Sequence, residues 1–285
     1  MLIYDTLSGE KKPLPETGGK PLRFFVCGPT VYDYIHIGNA RTYSAFDTIV
    51  RYLRSRKIKV QYLQNITDID DKIIKRALEE KKHIKTIANF YSRAYKQDMK
   101  SLKIISVNKY APATRYIRQI VKQVQILTEK GLAYKIESEG YYFDISKFPE
   151  YGKLSRRTSE QAEDSVSRID EGINKKNRGD FVLWKFSKQN EPVWKTPLGA
   201  GRPGWHIEDT AITEYFFGPQ YDLHGGGIDL KFPHHEAEIA QQESASGKKP
   251  MVNIWMHAGT LLVRGEKMSK SAGNFITVRD FLKKY

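Results

Sequence analysis

The sequence predicts an α/β protein whose parallel sheet is assembled in two halves around an α+β insertion. Three observations carry that reading. From Leu22 to Leu78, apolar runs of strand length alternate with segments of helical periodicity, and right-handed crossovers turn such an alternation into a parallel sheet. A hairpin-like pair of runs and a long polar stretch, Ser155 to Gly179, then interrupt it. The alternation resumes at Trp205 and continues through Tyr221 to Gly227, a helix, and Val252 to Val263. The divisions expected are 1–105 and 201–285 for the two halves of the main domain and 106–200 for the insertion.

Each element has its own signal. Residues Met1 to Lys20 carry Pro13, Pro15, Gly18 and Gly19 and predict an irregular leader. Leu22 to Val26 is a short apolar run suited to a buried strand, stopped by Gly28-Pro29-Thr30. After Gly38 the residues Phe46, Ile49, Val50 and Leu53 recur at helical spacing. Lys59 to Ile66 predicts a second strand, and Thr67 to Asp71 opens a helix with Ile69, Ile73, Ile74, Ala77 and Leu78 on one face. The acids Asp68, Asp70 and Asp71 suit a first helical turn as caps, although such a cluster also suits a metal. Helices follow over Lys85 to Lys100 and Ala113 to Lys130, the latter closed by Gly131. Tyr134 to Ile136 and Tyr141 to Ile145 predict a hairpin, Phe181 to Phe186 a strand, and Gly199, Gly201, Pro203 and Gly204 a loop back to the main sheet. Pro233 starts a helix through Gln241, and Val278 to Lys284 is an amphipathic helix at the end of the chain.

At 285 residues and 40% hydrophobic content the chain can bury a substantial core. Lys+Arg 47 against Asp+Glu 33 leaves a net charge of +14, which favours an anionic partner: nucleic acid, a nucleotide or a membrane surface. No apolar run approaches the ~20 residues of a membrane span. Met1 to Asp5 also lacks the order of a signal peptide, so a cytoplasmic location and no membrane partner are expected. The one cysteine, Cys27, excludes an intramolecular disulfide and leaves a thiol at a strand end that is either core or chemistry.

Four stretches hold candidate chemistry. His36-Ile37-Gly38-Asn39 lies where the first strand and its loop hand over to a helix, a place where unpaired N–H groups and two side-chain donors suit a phosphate. The strand ending in Gly225, Gly226 and Gly227 leaves room for a ligand against bare backbone, or makes a sharp turn. His234 and Glu238, at i and i+4, project from one helix face and can share a metal, although an ordinary surface pair has the same spacing. Arg264 to Asn274 is a basic, glycine-bounded loop whose lysines and serines suit either nucleotide phosphates or solvent. The cations Arg156, Arg157, Lys175, Lys176 and Arg178 suit either RNA phosphates or solvent.

The ordered pair His36-Ile37-Gly38-Asn39 and Lys267-Met268-Ser269-Lys270-Ser271 resembles the signatures of class I aminoacyl-tRNA synthetases. The runs Val26 to Asp33, Asn65 to Lys72, Gly201 to Glu208 and His224 to Leu230 narrow the resemblance to the cysteinyl-tRNA synthetases. It extends from about Phe24 to Tyr285 and implies a Rossmann-type nucleotide-binding catalytic domain split by a connective domain. The family's C-terminal helical and anticodon-binding regions are expected to lie outside this sequence. The implied activity is ATP-dependent formation of cysteinyl-adenylate and transfer of cysteine to tRNA. ATP with magnesium, L-cysteine and tRNA are the implied partners.

The resemblance also implies roles. His36, Asn39, Lys267 and Lys270 are the catalytic candidates; Gly38, Gly226, Gly227, Ser269 and Ser271 accompany the nucleotide, and Trp205 and Asp229 line the amino-acid pocket. The family holds zinc with two cysteines, a histidine and a glutamate; the matching positions here are Cys27, Asp209, His234 and Glu238, so a carboxylate replaces one thiolate. Two alternatives stand beside this reading: a related ligase that joins cysteine to the amine of a pseudodisaccharide, and a non-catalytic RNA- or metal-binding relative.

Overall fold

A computed structural model describes residues 1–157, 174–268 and 273–285, without the side chain of Lys267. In chain order the elements are β1 (Leu2–Asp5), β2 (Glu10–Pro13), β3 (Leu22–Val26), α1 (Ile37–Ser55), β4 (Val60–Ile66), α2 (Asp71–Glu79), α3 (Ile84–Ser101), β5 (Lys109–Pro112) and α4 (Ile117–Glu129). Then come β6 (Ala133–Ile136), β7 (Gly140–Phe143), β8 (Phe181–Phe186), β9 (Trp194–Thr196), β10 (Gly199–Pro203), α5 (Ile207–Phe217), β11 (Tyr221–Gly227) and α6 (Glu236–Ser246). β12 (Val252–Ala258), β13 (Leu262–Val263), β14 (Glu266–Lys267) and α7 (Val278–Lys284) complete the described elements.

The main sheet has the order β12-β11-β3-β4-β5, and every pairing in it is parallel. The first half of the chain builds outward from β3 toward β5 and the second half outward from β11 toward β12, so the winding reverses between β3 and β11. A crevice opens at the carboxyl ends of two such strands. Alternation along β3 distributes the core: Leu22, Phe24 and Val26 pack with α1 and α3, whereas Phe25 and the following Cys27 pack on the opposite side, where α5 and α6 lie. That parity puts the thiol on the face from which the acids of α5 and α6 reach it.

The insertion forms an antiparallel sheet of order β6-β7-β8-β10-β9. Its pairing starts at Ala133 and ends at Pro203, while β5, inside the 106–200 stretch, is the edge strand of the parallel sheet. Gly199 to Pro203 is a strand rather than the expected loop. A side chain at Gly201 would collide with the Trp184 indole and the Lys185 carbonyl, so glycine there permits close strand pairing, not a turn. The leader also departs from expectation. β1 and β2 pair as a hairpin, and buried Asp5 ties it to the sheet by accepting the Trp255 N–H at 2.9 Å. The α6 helix begins at Glu236, preceded by a wide turn over Lys231–His235 in which Phe232 is extended. The predicted strand from Val252 ends at Ala258, and Leu262–Val263 pairs separately with Glu266–Lys267.

The acids at the start of α2 behave as caps and clasps. Asp70 accepts the Lys72 N–H at 2.8 Å, Asp68 accepts the Thr114 N–H and hydroxyl at 2.9 and 2.6 Å, and Asp71 pairs with Arg202 of the insertion. Of the basic groups in the polar stretch, Arg157 stacks over Phe232 and Lys176 over Tyr134, while 158–173 lie outside the described residues. Among the described residues no helix is long and apolar enough to cross a membrane.

Candidate active site and metal centre

The crevice between β3 and β11 is lined by Cys27, Thr30, His36, Gly38, Asn39, Trp205, Gly227, Asp229 and Met268, among others. Seven of the sequence-predicted site residues therefore meet in one cleft, although they come from both ends of the chain.

One end of the cleft is the start of α1. His36 is its N-cap: the Asn39 N–H donates to His36 Nδ1 at 3.2 Å, and the His36 N–H donates to Asn39 Oδ1 at 3.4 Å, a reciprocal capping box. Both residues are half-buried. The late loop is held against this terminus. The Ile37 N–H donates to Ile276 O and the Val278 N–H to Ile35 O, both at 3.0 Å, and the His36 ring meets Phe275 edge-on at 5.1 Å. Gly38 is required by the same contact, since an added Cβ would lie 2.8 Å from the His36 ring and 2.9 Å from Met268 Cε. Lys267 lies in β14, opposite Leu262. Ser269, Lys270 and Ser271 lie outside the described residues.

The other end is a buried cluster. Asp209 Oδ2 is 3.1 Å from Cys27 Sγ and 3.1 Å from His234 Nε2. Glu238 Oε1 is 3.1 Å from the same His234 nitrogen and 3.7 Å from Cys27 Sγ. All four residues are at most 3% exposed. Cys27 comes from the end of β3, Asp209 from the first turn of α5, His234 from the turn before α6, and Glu238 from the first turn of α6. A helix N-terminus favours each acid, because its N–H groups and dipole stabilise negative charge.

The electrostatics call for a cation. Burial pushes the Cys27 thiol well above its usual range, and the Asp209 and Glu238 carboxylates push it further. Burial likewise raises Glu238, with Asp209 adding to the rise. Asp209 Oδ1 and Glu238 Oε2 are buried with no hydrogen-bond partner among the described residues. Three acidic groups facing one another in a dry site, with two oxygens unsatisfied, are costly unless a positive charge lies among them. A divalent metal ion fits that donor set and reverses the pKa logic of its ligands.

A second set, Cys27, His224, His235 and Glu238, also converges. Sequence reasoning missed both histidines as candidate ligands. His235 Nε2 is 3.1 Å and His224 Nε2 is 3.6 Å from Cys27 Sγ. Their outer nitrogens are engaged by His257 at 2.8 Å and the Tyr221 hydroxyl at 2.6 Å, and burial lowers both rings well below the usual histidine range. They form a neutral wall behind the thiol. The doubled His234-His235 beside Glu238 is the signal in the sequence that could have marked it. Trp205 covers the cluster toward the cleft, stacked on His234 with 4.3 Å between ring centroids.

The three glycines of β11 divide their work. A Cβ at Gly226 would lie 2.6 Å from the His235 ring, so this glycine makes room for the histidine and is not among the cleft residues. Gly225 makes room for Phe46, and Gly227 alone lines the cleft, beside exposed Asp229.

The chain is similar to known proteins along its whole length. A cysteine–tRNA ligase of Thermoplasma acidophilum is 51% identical over 285 residues, covering 100% of this chain and 63% of the relative. That of Thermococcus gammatolerans is 48% identical, covering 99% of this chain and 59% of the relative. The chain thus spans about three-fifths of the length of these relatives. Among solved structures, Mycobacterium tuberculosis methionyl-tRNA synthetase in complex with methionyl-adenylate matches with a TM-score of 0.69 at 18% identity, covering 93% of this chain and 62% of that one. This likeness establishes the fold, Rossmann-type and shared with class I synthetases. The family described as tRNA synthetases class I (C) catalytic domain matches residues 14–285, and the chain belongs to it.

Proposed function

We propose that the protein activates L-cysteine with ATP and transfers the cysteinyl group to the 3′ end of tRNA, a ligase reaction of the cytoplasm. The observation that carries this reading is the continuity of the cleft: the buried acid–thiol–histidine cluster opens at Cys27 into the same space as His36, Gly38 and Asn39. A site for a sulfur-bearing substrate and a site for phosphates are joined.

ATP, as its magnesium complex, places its phosphates at the start of α1. The Ile37 and Asn39 N–H groups there are already accepted by Ile276 O and His36 Nδ1, which leaves Gly38 as the first-turn donor for a phosphate oxygen. His36 and Asn39 hold that turn in shape and border the phosphates. Cysteine lies between Trp205 and Asp229, whose carboxylate suits the substrate ammonium. Its carboxylate attacks the α-phosphorus, so the protein needs no nucleophile of its own. Lys267 and Lys270 stabilise the negative charge that develops on the transferred phosphate and on pyrophosphate. Ser269 and Ser271 accompany them. The adenylate then passes its acyl group to the terminal ribose.

Cys27, Asp209, His234 and Glu238 would hold zinc, a metal that prefers a substrate thiolate to a hydroxyl and so separates cysteine from serine. The net charge of +14 suits a polyanionic acceptor. The test is cysteine-dependent ATP–pyrophosphate exchange by the zinc-loaded protein, followed by transfer to tRNA or to an amino-sugar acceptor. Exchange with cysteine and transfer to tRNA are expected. No exchange would overturn the reading, and transfer to the amino sugar alone would overturn its second half.

A further inference from the structure

Two acids occupy the first turn of α5, and only Asp209 belongs to the buried cluster. The other, Glu208, is 0% exposed, and its Oε2 accepts the Thr67 hydroxyl at 2.9 Å. Its Oε1 is buried with no hydrogen-bond partner among the described residues. A buried carboxyl held through one oxygen costs stability, and an apolar side chain of similar size would fill the same place at lower cost. Its presence points to a use other than stability.

The bond to Thr67 is one link of a polar strut. Thr67 is 1% exposed, and its Oγ1 accepts the Asn65 side-chain amide at 3.4 Å. Asn65, near the end of β4 and also buried, accepts the Gly28 N–H with its Oδ1. Sterics fix that end too, since a Cβ at Gly28 would lie 1.9 Å from Asn65 O. Backbone bonds run beside the strut: the Thr67 N–H donates to Pro29 O at 3.2 Å and the Val31 N–H to Thr67 O at 3.1 Å. The strut therefore crosses from the end of β3 to α5 by way of β4.

Its two ends are the covalent neighbours of two candidate ligands. Gly28 follows Cys27 and Glu208 precedes Asp209, and the side chains of those two ligands meet at 3.1 Å, Sγ to Oδ2. Asp209 has no anchor outside the cluster among the described residues: Oδ2 meets Cys27 and His234, and Oδ1 has no partner. The placement of its carboxylate thus depends on where the first turn of α5 is held. Metal sites require their ligands to be fixed within about 0.5 Å by groups outside the coordination shell.

We propose that Glu208 is a positioning residue for the metal centre. By holding Thr67, and through Asn65 the Gly28 backbone, it fixes the first turn of α5 against the end of β3 and sets the spacing of Cys27 and Asp209. The inference rests on the metal-centre reading and names what keeps two of its ligands in register.

The test compares three variants with the unmodified protein. Glu208→Gln keeps an oxygen for the Thr67 hydroxyl, Glu208→Met has similar length without an acceptor, and Thr67→Val breaks the same bond from its other end. Zinc affinity is read by chelator competition, site shape by the sulfur-to-metal absorption of the cobalt-loaded protein, and stability by denaturant unfolding of the metal-free chain. Glu208→Met and Thr67→Val are each expected to lose about tenfold or more in zinc affinity and to shift or weaken the cobalt band. The metal-free unfolding midpoint of Glu208→Met should not fall. Glu208→Gln is expected to stay within about threefold of the unmodified protein. Joining Glu208→Met to Thr67→Val should cost no more than either alone, because all three remove one bond. Unchanged zinc affinity in both single variants, an equal loss in Glu208→Gln, or a loss of stability in Glu208→Met that matches its loss of affinity would overturn the proposal.

A further measurement needs no metal. Cys27 is the one thiol in the sequence, so its rate of reaction with a thiol reagent in the metal-free protein reports how firmly the end of β3 is held. Labelling about fivefold or more faster is expected in Glu208→Met and Thr67→Val than in Glu208→Gln or the unmodified protein. Equal rates in all four would overturn the proposal. An unmodified protein that binds no zinc would sink the metal-centre reading, while the labelling rates would still decide whether Glu208 holds α5 against the thiol.

Discussion

The two ends of the cleft are built by opposite strategies. At the thiol end, four side chains from three separate stretches of chain meet at buried positions, and a further ring of histidines backs them. At the end proposed for phosphate the contributions are a helix terminus, a capping pair at half-buried positions and the contacts of Phe275 and Ile276 with them. On the proposed function the contrast follows from what each end would recognise. Phosphate is large, charged and satisfied by N–H groups that any helix start supplies. Sulfur differs from oxygen too little for shape to separate them, so a buried, costly donor set is needed.

If that contrast holds, changes at the two ends should fail in different ways. The largest effect is expected at the phosphate end. Lys270→Ala should slow adenylate formation by ~10²-fold or more with cysteine binding nearly intact, because its charge acts chiefly in the transition state. Single-turnover rates measured beside equilibrium cysteine binding would test this; a loss of cysteine affinity at an unchanged rate would blur the division. At the thiol end, Asp209→Cys should raise zinc affinity by roughly tenfold, since sulfur matches zinc better than a carboxylate oxygen, and should preserve activation of cysteine. Chelator competition reads this directly, and weaker zinc binding in the variant would place Asp209 outside the ligand set.

The smallest effect is expected farthest from the chemistry. Asp5 accepts the Trp255 N–H, and the Trp255 ring stacks on His224 with 4.2 Å between centroids, so the leader helps to support the thiol end. Burial raises the Asp5 carboxyl, but bonds from Lys12, Trp255 and Ser8 outweigh it and hold the group below its usual value. A carboxylate lowered by folding adds stability above its unfolded pKa of ~4, and that contribution is lost as the pH falls through the lower folded value. Asp5→Asn should therefore cost ~1–3 kcal/mol near neutral pH. The gap between variant and parent should narrow on acidification below about pH 4, and denaturant unfolding at several pH values would reveal a gap that does not narrow.

Much of the fold is legible because local and tertiary preferences agree. The β3–α1–β4 unit carries an apolar run, a turn and helical periodicity in order, and α1 buries the predicted Phe46, Val50 and Leu53. The exceptions are places where a tertiary contact overrides a local signal. Gly199 and Gly201 predict a loop, yet glycine there serves strand approach to Phe186 and Trp184. The leader's prolines and glycines predict irregular chain, whereas its hairpin forms against β12. In the site, the spacing of His234 and Glu238 is a local signal for a shared ligand. Asp209 has none: it lies 182 residues from the thiol it contacts, and only the family resemblance links them. His224 sits in a buried strand, where a histidine looks like core until its neighbours are known. Long sequence separation conceals a site more effectively than unusual chemistry does.

The most direct test is to determine the metal content of the active protein and then compare cysteine with serine in pyrophosphate exchange before and after chelation. About one zinc per chain is expected, with chelation removing both the metal and the preference for cysteine. An active protein that contains no zinc, or that discriminates equally well after chelation, would contradict the account and leave Asp209 as part of a pocket that selects cysteine by packing alone.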